Sequence, residues 1–253
     1  MNAIPSLKES VSAAEWAARV DLAACYRLVA REAWDDLIFN HISARVPGPE
    51  HHFLINPFGM LFEEITASSL VKVDMEGEVV GNTEFPVNPA GFTIHSAVHM
   101  ARADALCVMH LHTLDGVAVS AQADGLLPLS QHAMAVMGDL AYHDYEGVAL
   151  DLDERDRLIA DLGRKHLMIL RNHGTLTLGR TCADAFLRMF FLERACAMQA
   201  RALAGGVEPN MPELAAVEKT GSLGRMGFDG YVGPLSWPAL LRRLDRIDPG
   251  YKN

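Results

Sequence analysis

The chain has 253 residues, half of them hydrophobic, enough to bury one substantial core, so a single domain spanning 1–253 is expected. With 22 Lys plus Arg against 32 Asp plus Glu, a net charge of -10 and no basic cluster to follow a phosphate backbone, nucleic acid is excluded as a partner. No run approaches the roughly 18 apolar residues of a membrane span, the N-terminus has no apolar segment flanked by basic residues, and the four scattered cysteines read as reduced and buried. The expectation is a soluble, cytoplasmic protein with no membrane partner.

From Ala13 to about Asp35, Val20, Leu22, Ala23, Tyr26, Leu28 and Val29 recur at helical spacing and predict a long helix packed on a sheet. "LIFNHISARVPG" (37–48) and "HHFLINPFG" (51–59) are short β-branched or aromatic segments punctuated by Pro and Gly, and predict strands joined by turns. "EITASSL" (64–70) is expected to start a short helix and "VKVDMEGEVV" (71–80) to form a hairpin. After the loop 81–91, a helix is expected over 92–103, then a strand over 106–113 and a Gly-bounded helical patch over 114–124. A loop, a helix and a strand follow within 127–147, a charged surface helix over 151–166, two strands around an Asn-His-Gly turn at 167–181, and a long helix over 182–204. Residues 205–253 carry Pro and Gly breaks with little pattern and read as a C-terminal arm on this subunit or a neighbour. Helices and strands mix without regular alternation, which favours a layered α/β sandwich over a doubly wound sheet.

Within "CVMHLHT" (107–113), His110 and His112 are two residues apart in a strand, so both imidazoles face one side, as a pair of metal ligands must. An isolated His-x-His is also compatible with a hydrogen-bonded core pair. His173, in the Gly-containing turn "ILRNHGTL", is a third candidate; three neutral imidazoles plus water make an open, catalytic type of site.

"NHISAR" (40–45), "GFTIHSAVHMARADALCVMHLHT" (91–113) and "ILRNHGTLTLG" (169–179), in this order and spacing, resemble the class II aldolase/adducin family over about residues 15–205. The resemblance implies a three-layer α/β/α sandwich around a largely antiparallel sheet, a homo-oligomer that is usually a tetramer, and a divalent metal near a subunit interface. It maps the family's metal-binding histidines onto His110, His112 and His173.

The chain also departs from the family's sugar-phosphate enzymes. Their Ser-Ser-Glu segment, whose Glu is the acid/base, falls on Pro89, Ala90 and Gly91, and their phosphate-binding hydroxyls and amides fall on Asn40, His41, Phe58 and Gly59. An unphosphorylated substrate follows. Among the candidates to take over the chemistry, His95 and His99 share a helix face, one of them expected to brace a metal ligand, with packing as the alternative. His132 falls near the place where the aldolases contribute a tyrosine from the adjacent subunit. Tyr142, His143, Tyr145 and Glu146 crowd one region, and Glu84 is a weaker substitute for the lost carboxylate. Arg45 and Arg171 are open to a substrate carboxylate or to structural pairing, and the stripe Phe186, Met189, Phe190 and Leu192 reads as core.

The expected activity is a metal-dependent lyase acting on a small-molecule substrate, by aldol cleavage or decarboxylation of a hydroxy or oxo acid or a carbonyl compound. Zinc is the first expectation for the ion, then manganese or iron. Two other readings stand beside it: a non-catalytic, adducin-like cytoskeletal interaction module, and a redox-active iron site at the same three histidines.

Overall fold

A computed structural model describes residues 4–81, 83, 85–147, 153–228 and 232–253. In chain order the elements are α1 (Ala13–Arg31), β1 (His41–Arg45), β2 (Phe53–Ile55), β3 (Val71–Val73), α2 (Pro89–Ala101), β4 (Cys107–Leu111), α3 (Leu114–Ser120) and α4 (Gln131–Met137). β5 (Leu140–His143), α5 (Glu154–Leu162), β6 (Leu167–Leu170), β7 (Gly174–Gly179), α6 (Cys182–Ala204), α7 (Leu214–Phe228) and α8 (Val232–Ile247) follow.

The seven strands form one sheet in the order β3-β2-β1-β4-β7-β6-β5, antiparallel throughout except for the parallel pair β5 and β6. β4 is central, and the two-residue alternation of its side chains divides the core. Cys107, Met109 and Leu111 pack with Leu22 and Leu28 of α1 and Met189 of α6; Val108 packs on the opposite face with Ile94 and Val98 of α2 and Leu158 of α5. Helices α1, α3 and α6 thus cover one face and α2 and α5 the other, the three-layer sandwich expected from sequence. Burying each such Leu or Ile contributes about 1.5–3 kcal/mol, which is what holds β4 in register between its neighbours.

The local sequence places these elements. Ser12 caps α1 by accepting the Glu15 N–H, and Pro89 occupies the first position of α2, where a missing N–H costs nothing. β1 is pinned by Tyr26, whose buried hydroxyl on α1 accepts the N–H groups of Ile42 and Asn56 at 2.9 and 3.1 Å. Thr113 caps α3 through the Gly116 N–H, so the strand carrying His110 and His112 turns directly into a helix.

Two expectations change. No helix forms over 64–70: a 3-10 turn spans Phe62–Glu64 instead, and Thr66 and Ser69 exchange side-chain to backbone hydrogen bonds that close a turn in place of a helix. In the 71–80 hairpin only β3 is a strand; its return limb makes a single bridge, Val73 to Val79, because Asp74 Oδ1 accepts the N–H groups of Glu76 and Glu78. The 205–253 segment is mainly two helices, α7 against α4 and α8 against α6, with Phe228, Trp237 and Leu244 buried. Its anchors are too widely spaced to stand out as a pattern in sequence.

Candidate metal centre

His110 closes the α2 face of β4, and His112 follows one residue past the strand's end. His173 arrives from the β6–β7 turn, where its N–H donates to the Leu170 carbonyl at 3.1 Å and Asn172 takes a left-handed φ of 56°. Gly174 lets the two ends meet: a Cβ there would lie 2.5 Å from the Leu111 carbonyl oxygen and 3.1 Å from His112 Cδ2.

The three rings converge. His112 Nε2 lies 3.0 Å from both His110 Nε2 and His173 Nε2, with ring centroids 4.7–4.9 Å apart. Among the described residues, these three form the cluster able to hold a metal ion. Their outer nitrogens define the protonation. His110 Nδ1 donates to the Thr175 carbonyl at 3.0 Å and His112 Nδ1 to Asp36 Oδ2 at 3.1 Å, so each Nε2 carries a lone pair turned inward. Burial, then the neighbouring imidazoles, holds His110 well below the ordinary histidine range, and the same causes lower His173 to about 4. Inward lone pairs at this spacing repel one another unless a cation lies between them. Tetrahedral bonds of 2.0–2.1 Å would space such nitrogens about 3.3 Å apart, so the donor set fits a divalent ion.

His110 is buried, while His112 and His173 keep partial access to solvent. His173 lines a small pocket whose Asp144, Tyr145 and Arg171 also line an open cleft of about 570 Å³ with Ser120, Gln122 and Asn172. Tyr145 is exposed, with its ring 6.4 Å from that of His173.

The other candidates lie elsewhere. Tyr142 is half-buried, its hydroxyl accepting the Leu126 N–H at 3.0 Å and its ring under the Arg171 guanidinium at 4.5 Å, so it is engaged away from the triad. Arg171 itself donates to the Gln122 and Ala123 carbonyls. His132 sits on α4 with its ring 4.9 Å from Phe191 of α6. His143 is held by Asp161 at 2.7 Å, Glu146 pairs with Arg157, and Arg45 donates to the His99 carbonyl. Glu84 lies outside the described residues. Among the described residues, His95 and His99 bond Ser43 of β1 and neither bonds the three clustered histidines; the outer nitrogens of His110 and His112 are held by Thr175 and Asp36.

The place of the lost carboxylate has an occupant. A Cβ on Gly91 would lie 2.6 Å from Cγ and Cδ2 of His41, so the His41 imidazole fills the space where any side chain of residue 91 would begin. His41 is the register partner of His110 and stacks on its ring at 6.4 Å. Sequence reasoning noticed His41 only as a missing phosphate donor, and no signal pointed to Asp36.

A largely antiparallel sandwich with three convergent imidazoles at a strand end defines a class of proteins whose histidine triad could hold a divalent ion. The chain belongs to the family described as class II aldolase and adducin N-terminal domain, whose model matches residues 20–200. A Caulobacter vibrioides protein named as an aldolase class 2 protein is 64% identical, covering 97% of this chain and 96% of its own. Mouse alpha-adducin is 44% identical over 92% of this chain, which spans 33% of that protein. Among solved structures, an aldolase II superfamily protein from Pseudomonas syringae matches with a TM-score of 0.93 and 50% identity, covering 98% of this chain and all of its own. The L-fuculose 1-phosphate aldolase of Glaciozyma antarctica matches with a TM-score of 0.81 and 27% identity, covering 100% of this chain and 97% of its own. No helix among the described residues is long and apolar enough to cross a membrane.

Proposed function

We propose that this protein is a metal-dependent carbon–carbon lyase that takes an unphosphorylated hydroxy or oxo acid. The observation that carries the reading is the convergence of three Nε2 atoms, two of them holding inward lone pairs set by outward Nδ1–H bonds. His110, His112 and His173 would hold the ion, zinc before manganese or iron. When bound, it supplies Lewis-acid stabilisation of the enolate-like charge left as a C–C bond breaks.

The substrate class follows from charge. The three ligands are neutral, and at Gly91 an imidazole fills the space of a carboxylate, so a divalent ion's charge is left for the substrate to balance. A carboxylate with an adjacent oxygen does so. Asn40, His41 and Phe58 stand where phosphate donors would be needed, which argues against a sugar phosphate such as the one named for the Glaciozyma enzyme. Tyr145 supplies an exposed hydroxyl beside His173 for proton transfer. In this reading the protein is a cytoplasmic homotetramer in which His132 serves across a subunit boundary.

Elemental mass spectrometry on tag-free protein is the direct test: about one divalent ion per chain is expected, with release of aldehyde or carbon dioxide from a panel of hydroxy acids. Absence of any bound ion, even after reconstitution, would overturn it. The second reading, an adducin-like interaction module without catalysis, is favoured by the 44% identity to alpha-adducin; co-sedimentation with filaments at micromolar protein separates the two.

A further inference from the structure

Between β1 and α2 lies a second group of polar rings, which the metal ligands do not use. Its far end is unambiguous: His99 Nδ1 is 2.7 Å from the Ala105 carbonyl, which can only accept, so the ring carries its proton there. Burial lowers His99 to about 4, with the Arg45 charge acting in the same direction, so the ring is neutral at pH 7 and Nε2 is bare. Ser43 Oγ, 2.7 Å from that Nε2, must therefore donate its single proton to it. The same oxygen is 2.6 Å from His95 Nδ1 and has only lone pairs left to offer, so His95 carries its proton on Nδ1. Burial holds His95 neutral as well, which leaves Nε2 as an acceptor.

That acceptor has no partner among the described residues although His95 is completely buried. Facing it is His41, whose ring lies 5.9 Å away at 83°, is almost fully buried, and has no partner at either nitrogen. A buried unpaired polar atom costs on the order of 1–3 kcal/mol, so a chain of three ordered bonds ending in an unused lone pair beside the metal ligands is a costly arrangement for mere packing.

We propose that Ser43 and His99 are positioning residues that lock His95 in its Nδ1–H tautomer, so that His95 Nε2 takes the N–H of His41 and presents the other His41 nitrogen, as a lone pair, to the metal site. The chain positions and does not relay: Arg45 beside His99 disfavours a positive charge at the far end. His41 would then offer substrate a neutral acceptor in the space of the carboxylate that Gly91 lacks. The tautomers stand independently of the lyase reading; their catalytic consequence rests on it.

Two-bond proton–nitrogen spectra of the imidazoles in 15N-labelled, metal-free protein test this without any activity. His95 and His99 are expected as Nδ1–H tautomers, with His95 moving to a mixture in Ser43→Ala and returning in Ser43→Thr. An Nε2–H tautomer for His95 in the parent protein, or an unchanged His95 in Ser43→Ala, would overturn the proposal. Should Ser43→Ala fail to fold, the parent and Ser43→Thr spectra still decide. With a substrate in hand, Ser43→Ala should lower kcat tenfold or more and leave KM within twofold. A tautomer change with kcat untouched would refute the positioning role, and absence of any lyase activity alongside the expected tautomers would refute only the functional reading.

Discussion

Two clusters of three polar side chains lie on either side of the His41 ring, and their organisation is opposite. At the mouth of β4, His110 and His112 turn their outer nitrogens to protein acceptors, and these two rings and His173 turn their inner nitrogens toward a common point. Under α2, His95, Ser43 and His99 run in line, each satisfied by the next, with one lone pair left at the end. The residue type is nearly the same in both. What separates a metal-binding arrangement from an orienting one is where the second nitrogen of each ring is spent.

The largest effect should come from the convergent cluster. His110→Ala is expected to take bound divalent ion from about one per chain to near zero, weakening affinity by more than the roughly 100-fold that groups behind a ligand can contribute, with the circular dichroism spectrum unchanged. Metal retention in that variant would show that the rings do not act as a set.

The buried line should show itself through acid. His99 has a folded pKa of about 4 against 6.5 unfolded, so the unfolded chain gains the proton first, and stability falls as pH drops through that window by on the order of 3 kcal/mol. Urea midpoints at pH 7, 5.5 and 4.5 should fall less steeply for His99→Gln. Glu193 on α6 gives the opposite slope: burial raises it to about 7, so its contribution is complete below about 4.5 and is lost as pH rises through 7. Glu193→Gln should flatten that limb, and a variant still steep there would point to another group.

The contact joining the two clusters can be broken from either side. Gly91→Ala drives a methyl into the His41 ring and should cost about 2 kcal/mol in urea unfolding; His41→Ala in the same chain should recover most of it. Additive losses would mean that the ring does not fill that space. The smallest effect is expected at Asp36→Ala, where a half-exposed carboxylate behind His112 should change metal affinity about tenfold in competition titrations.

Much of this architecture is readable along the chain. The two-residue spacing of His110 and His112 requires a shared side once the segment is a strand, and the Asn-His-Gly sequence marks the turn that carries His173. The long periodic helices α1 and α6 are equally plain. The C-terminal helices are not, because their buried residues are few and Pro238 lies inside α8. The engagement of Tyr142 with Leu126 and Arg171 likewise depends on a loop folding back across 16 residues.

The sequence by itself determined which residues are of a coordinating type and that His110 and His112 share a side, since residue type and strand periodicity are local properties; the addition of His173 and the absence of a carboxylate at Gly91 follow only from the resemblance to the family. Only the tertiary structure decided what the remaining groups do. Asp36, Thr175, Ser43 and His41 take their roles from partners 76, 65, 52 and 50 residues away, the last being Gly91, and which nitrogen of a histidine is spent depends on the acceptor that packing brings to it.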